Sequence, residues 1–170
     1  MRKVLSFAAL GAGAVLLAAC GGGEEAREKQ MEDMAKRHGV DADVELDDKG
    51  EVKSVKINNG LGGAVVGQNI DLPDGFPADV PVSDEWSIMA TTPTPGGYMI
   101  QAMSGDSADA IIEDVRKALN AEGWTEETVD NPVPQMHRIG FTKDDRMTTL
   151  NLIANGEQMS VQLLTMKKPG

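Results

Sequence analysis

At 170 residues the chain is long enough for one modest domain and a tether. It carries 27 Asp and Glu against 16 Lys and Arg, a formal charge of −11, and such an acidic chain is repelled by phosphate backbones and anionic lipid, which excludes nucleic acid as a partner. Its single cysteine cannot close an internal disulfide, so the core alone must hold the fold.

Arg2 and Lys3 make the N-terminus positive, and Val4 to Leu17 are apolar apart from Ser6. The run is shorter than the ~20 residues that span a bilayer and ends in small residues, the three-part pattern of a secretory signal. Leu17-Ala18-Ala19-Cys20 closes it, followed by Gly21-Gly22-Gly23 and a charged run. This arrangement resembles the lipobox of bacterial lipoproteins. The resemblance implies a signal peptide over residues 1–19, with Leu17, Ala18 and Ala19 as the signal-peptidase recognition residues. It also implies lipidation of Cys20 by a thioether-linked diacylglycerol and a further acyl chain. Two or more chains anchor stably, because each buried CH₂ contributes ~0.8 kcal/mol. Gly21, rather than Asp, is similar to the default of diderm lipoproteins held at the periplasmic face of the outer membrane. Cleavage would remove two cations and no acid, leaving the mature chain more acidic still.

Residues 20–39 read as a lipid-anchored tether and a short charged helix, Glu24 to His38, stopped by Gly39. Its apolar stripe, Met31, Met34 and Ala35, is thin, so a solvated spacer is preferred to a partner-binding helix.

Residues 40–70 read as a β-hairpin region. Val40 to Asp47 alternate apolar and acidic, Asp48-Lys49-Gly50 is turn chemistry, and Glu51 to Ile57 return. Within the second strand Val55 and Ile57 share a face while Val52 has the opposite parity. Calcium is not expected on the acidic stripe, since residues two apart on a strand lie ~6.6 Å apart, too far to share one ion. Asn59 to Gly67 contain four glycines but no Gly-Lys-Ser/Thr, and read as a turn and a short strand, Ala64 to Val66. Residues 71–85 form a Pro-rich, extended connector.

Residues 86–167 carry the main domain. Trp86 to Thr92 form a strand with Trp86, Ile88 and Ala90 on one side. Thr92 to Gly97 form a loop, and Tyr98 to Ser104 return. Ser107 caps a helix whose Ala108, Ile111, Ile112, Val115 and Leu119 recur at helical spacing, and Gly123-Trp124 closes it in a Schellman cap. Thr125 to Val129, Met136 to Thr142, Met147 to Ala154 and Glu157 to Met166 read as strands. Asp130 to Pro134 is expected as a loop, and Asn155-Gly156 as a type I′ turn. The order ββα and then a strand meander predicts an α+β fold: an antiparallel sheet of five to six strands with one helix packed across it, preceded by the small hairpin region.

The Phe-Pro-x-Asp-Val-Pro connector (Phe76 to Pro81), the two strands after it and the helix ending in Gly123-Trp124 resemble a class of uncharacterised small bacterial lipoproteins. The resemblance covers roughly residues 70–166. It implies the α+β fold and an envelope location, and carries no active site.

Catalytic and metal residues are expected to be none, and no cofactor is expected. Gly105-Asp106-Ser107 echoes a lipase block but lacks the base context a serine nucleophile requires, and Ser107 serves as a cap. His38 fits a helix C-terminus that favours a cation and His137 sits in a predicted strand, so neither implies a zinc site. Glu126-Glu127 and Asp144-Asp145 lack glycosidase geometry. Ten methionines against few aromatics invite a Cu(I) reading, for instance Met136 beside His137, but filling of core gaps by methionine is preferred.

The sequence thus predicts a non-enzymatic lipoprotein, held to a membrane through Cys20 and binding or assembling with another envelope protein. A carrier of a small apolar ligand, in a groove between helix and sheet, is the alternative, with copper handling a distant third. Trp86, Tyr98 and Trp124 are the aromatics expected to mark a ligand or partner surface.

Overall fold

The computed structural model describes residues 23–58, 63–133 and 136–169. In chain order the elements are α1 (Glu24–Arg37), β1 (Ala42–Leu46), β2 (Val52–Ile57), β3 (Ala64–Gly67), β4 (Ser87–Thr94) and β5 (Gly97–Ser104). They continue with α2 (Ala108–Ala121), β6 (Thr125–Val133), β7 (Met136–Lys143), β8 (Arg146–Asn155) and β9 (Gln158–Lys167). The expected five- to six-stranded sheet with one helix is incorrect. Among the described residues nine strands form one antiparallel sheet, in the order β1-β2-β3-β4-β5-β9-β8-β7-β6, accompanied by two helices.

The cause is a short ladder. β3 pairs with β4 through Val65 opposite Thr91 and Val66 opposite Ala90. The outer edge of β4 carries backbone donors and acceptors that need partners, and β3 supplies them, bringing β2 and β1 with it. On the other side, α2 carries the chain from β5 to the far edge. β6, β7, β8 and β9 then meander back until β9 closes against β5.

α2 forms as its sequence dictates. The Ser107 side chain accepts from the Ala110 N–H, and Gly123 takes a left-handed φ of +81°. The Trp124 N–H then donates to the Leu119 carbonyl and the Gly123 N–H to that of Asn120, the two bonds of a Schellman cap. Ala108, Ile111, Val115 and Leu119 are buried against Ile100, Ala102, Ile139, Phe141, Leu150, Leu152, Val161 and Leu163 of the sheet. Each fully buried large side chain contributes ~1.5–3 kcal/mol, so this seam dominates stability. The Pro-rich connector is laid on the same face and, with the residues that flank it, adds Ile70, Val80 and Trp86 to the core.

Bulges decide which side chains meet. Between Ile88 and Ala90 the β4–β5 register slips at Met89, so Thr91 becomes the core residue and Ala90 turns to the opposite face, contrary to its expected place beside Trp86 and Ile88. In the first hairpin Lys53 is the extra residue between Val52 and Ser54, which accounts for the odd parity of Val52. Two expected loops are shorter than predicted. β4 runs through Pro93 to Thr94 and turns at Pro95-Gly96, and β6 continues to Val133. In the last hairpin Asn155 pairs with Gln158, so the turn is centred on Gly156-Glu157 rather than on Asn155-Gly156. Only Gly156 has positive φ there, the signature of a type II′ rather than a type I′ turn.

Candidate functional site

The seam between α2 and the sheet is filled, with Leu119, Leu150, Leu152 and Leu163 at 0% exposure and Phe141 at 1%. The opposite face differs. Ladder register carries its rows straight across β4, β5, β9, β8 and β7. One row runs Ala90, Gln101, Gln162, Asn151 and Arg138. Its neighbours run Thr92, Met99, Leu164, Thr149 and Gly140, and Met103, Ser160, Ile153 and Met136. Met166 lies opposite Met147, which lies opposite Thr142. One hydrogen bond runs along the first row, from Asn151 Nδ2 to Gln162 Oε1 at 3.1 Å, and one joins it to the next, from Gln162 Nε2 to Met99 Sδ at 3.4 Å.

On these five strands the open face holds five methionines, Leu164, Ile153 and one charge, Arg138, and no carboxylate, although the chain has 27 acids. Ile153 is 43% exposed, and among the described residues no element packs over it. Charge depletion with enrichment in Met and Arg is the composition of a protein–protein interface core. The patch is roughly 24 Å across and 26 Å long from strand spacing and rise, roughly 600 Å². That approaches the ~800 Å² per partner of a standard interface.

The expected sites are dispersed. Leu17, Ala18, Ala19 and Cys20 lie outside the described residues. Trp86 and Trp124 are buried in the α2-side core. Trp124 Nε1 donates to the Asp79 carbonyl at 3.1 Å, and the Arg146 guanidinium stacks 4.9 Å from its ring centroid. Arg146 also grips the Asp79 carboxylate with both Nη atoms, and Lys143 Nζ reaches it at 2.9 Å. The Arg146 hydrogen bonds, with that of Lys143 and both charges, hold the Asp79 carboxyl well below the ordinary carboxylate range despite partial burial. This clamp pins the connector to the β7–β8 hairpin and to the end of α2.

Tyr98 stands apart, half-buried, with its hydroxyl donating to the Asp74 carbonyl at 3.0 Å and its ring 5.9 Å from that of Phe76. It borders a cleft of about 760 Å³ between the connector and β1–β3, whose walls mix Asp43, Glu45, Asp71 and Asp74 with Lys53 and Lys56. Within it Lys53 and Ser54 bond Glu45 and lower its pKa. Its four carboxylates outnumber its two lysines, and the tryptophans do not reach it together with Tyr98.

The remaining polar candidates have structural partners. Arg116 pairs with Glu126 at 2.7 Å, and Thr142 donates to Glu127. Met136 and His137 are strand neighbours, so they point to opposite faces and do not converge. Among the described residues no group of three or more His, Cys, Asp or Glu is placed to hold a metal ion. The preferred packing role for methionine is a misreading: of the seven from Met89 to Met166, Met159 packs against the buried core, while five lie on the open face. The legible signal was the acid-free polar parity of the later strands, beside the Asp43–Glu45 parity of the first.

Fold and face together define a single open-faced antiparallel sheet, with one side packed and one side presented. No protein-family model, curated protein or solved structure matches the chain.

Proposed function

We propose that this chain is a non-enzymatic, lipid-anchored envelope protein that docks another envelope protein on the open face of its sheet. The supporting observation is that face: Met99, Met103, Met136, Met147 and Met166 with Leu164 and Ile153, and no carboxylate on β4, β5, β9, β8 or β7 of a strongly acidic chain, Glu127 of β6 reaching its border at Thr142. Flexible thioethers suit a surface that must repack against a partner. The sequence pattern at Leu17 to Cys20 supports the anchor.

Crosslinking in intact envelopes followed by detergent extraction and pull-down tests the reading. Wild type should bring down a stoichiometric partner and stay with the membrane fraction. Cys20→Ser should leave the membrane fraction. Leu164→Glu combined with Ile153→Glu should stay on the membrane but lose the partner. Equal recovery of the partner by the face variant would overturn the docking surface, and membrane retention of Cys20→Ser would overturn the anchor.

A further inference from the structure

An antiparallel sheet has two edges, and this one treats them differently. β6 is blunted by register shifts between Glu126 and Thr128 and between Asp130 and Val133, and by Pro132, which has no N–H to offer. β1 has no such device. Its bulge lies in β2, and Ala42, Val44 and Leu46 direct their backbone groups outward, because Asp41 and Asp47 bond inward to Asn58 and Glu51.

That outward edge is occupied by α1. Glu32 Oε1 accepts from the Val44 N–H at 3.2 Å, and Glu28 Oε1 from the Leu46 N–H at 3.0 Å. The fit is geometric: residues four apart on a helix rise ~6.0 Å, and residues two apart on a strand ~6.6 Å. The helix therefore runs antiparallel to β1 with one carboxylate over each exposed donor. Yet the cover is incomplete in kind, since a carboxylate satisfies only the donors, whereas a strand would satisfy the outward carbonyls as well. It is also held by a small contact. No residue of α1 is itself buried: Met31 and Ala35 are half-buried and Met34 is 57% exposed, while Ala42 and Leu46 of β1, against which the helix packs, are buried outside the main core.

We infer that the outer edge of β1 is a strand-addition site closed by α1, opened when an extended partner segment displaces the Glu28 and Glu32 carboxylates. The chemistry of β1 specifies the segment. Asp43 and Glu45 are exposed on one face of the strand, and Ala42, Val44 and Leu46 line the other. A strand paired here places its side chains beside these, so the fitting segment alternates Lys or Arg with Val, Ile or Leu. This is a different surface from the open face, so the two proposals stand or fall separately.

The test uses the full chain in detergent with a synthetic ten-residue peptide alternating lysine and valine, and a glutamate–valine peptide as charge control. The Lys–Val peptide should bind Glu28→Ala/Glu32→Ala at least tenfold more tightly than wild type, because alanine keeps helix propensity and removes only the edge bonds. Glu28→Gln/Glu32→Gln, which keeps an acceptor oxygen, should fall between. With bound peptide, amide hydrogen exchange should slow at Val44 and Leu46 and quicken through α1. Ile153→Glu should leave the affinity unchanged.

Equal affinity of wild type and the alanine variant, or equal binding of the Glu–Val peptide, would overturn the proposal. If the alanine variant proves unfolded by circular dichroism, wild type saturated with Lys–Val peptide decides: retained protection of α1 beside bound peptide overturns it, and its loss upholds it.

Discussion

Glu32, on a helix without a buried residue, lends its carboxylate to the backbone N–H of Val44, 12 residues along the chain. That bond and its Glu28–Leu46 counterpart are the hydrogen bonds joining α1 to the sheet among the described residues. The two helices are therefore held differently, one by edge donors and a small contact at the buried Ala42 and Leu46, the other by a filled core. Glu32→Ala should quicken amide exchange at Val44 while lowering global stability by less than ~1 kcal/mol, since a net hydrogen bond is worth ~0.5–1.5 kcal/mol and this one is half exposed. Leu119→Ala, at 0% exposure, should cost ~2–5 kcal/mol. Urea titrations of both variants, read beside exchange data, give the comparison; equal losses would show that α1 belongs to the cooperative core.

Asp79 predicts the acid limb of the stability curve. Its carboxyl, lowered chiefly by the Arg146 hydrogen bonds and then by Lys143, loses its proton at lower pH folded than unfolded. The unfolded chain thus binds more protons in acid, so stability rises with pH there. The clamp's contribution is complete above the unfolded value of ~3.9 and fades as pH falls below it. Asp79→Asn should cost ~1–3 kcal/mol at pH 7, allowing for the 20% exposure of the side chain. The gap between wild type and variant should narrow by pH 3. A gap independent of pH would mean that packing of the connector, not the ion cluster, carries the effect.

Gly97 opens β5 directly against β9. A Cβ added there would strike the Thr165 backbone carbonyl, which cannot swing aside as a side chain could. Gly97→Ala should therefore cost ~1–3 kcal/mol, the range for overpacking. Gly105 has open space around its added Cβ and an ordinary φ, so Gly105→Ala should be neutral or stabilise by up to ~1 kcal/mol. Denaturant midpoints at equal m-values measure both, and a costly Gly105→Ala would contradict the geometry.

What was legible in the sequence follows the physics that is local. Period-two alternation marked the strand from Val40 to Asp47, and Ser107 with Gly123-Trp124 marked both ends of α2, because caps and pleats depend on neighbours a few residues away. The β3–β4 ladder depends on two pairings, Val65 with Thr91 and Val66 with Ala90, between segments joined only through a Pro-rich stretch. No local pattern in Ala64–Gly67 states its partner. Bulges are equally opaque: one extra residue, Met89 or Lys53, reverses the parity of all that follows. Trp86 and Trp124 are large aromatics, and size favours burial as readily as binding. The candidate face was hidden because methionine serves cores and interfaces alike, and only register tells which side of a strand it occupies.

Oxidation by dilute hydrogen peroxide distinguishes those two roles of methionine without knowledge of the partner. Sulfoxide forms where sulfur meets solvent, so Met34 and Met89, 57% and 38% exposed, should react first. Met99, Met103, Met136, Met147 and Met166, half-buried on the open face, should follow. Met159, packed against the buried cluster that contains Leu152 and Val161, should react last. Peptide mapping by mass spectrometry against time gives the order for each residue. The five should oxidise with the fold intact by circular dichroism, because the face they line is not the one that holds the sheet to α2. Oxidation of the five no faster than Met159, or loss of fold as they react, would place them in the core and remove the basis for an interface there. Oxidised protein that stays folded should also lose its crosslinked partner, since a sulfoxide turns each apolar contact on that face into a polar one.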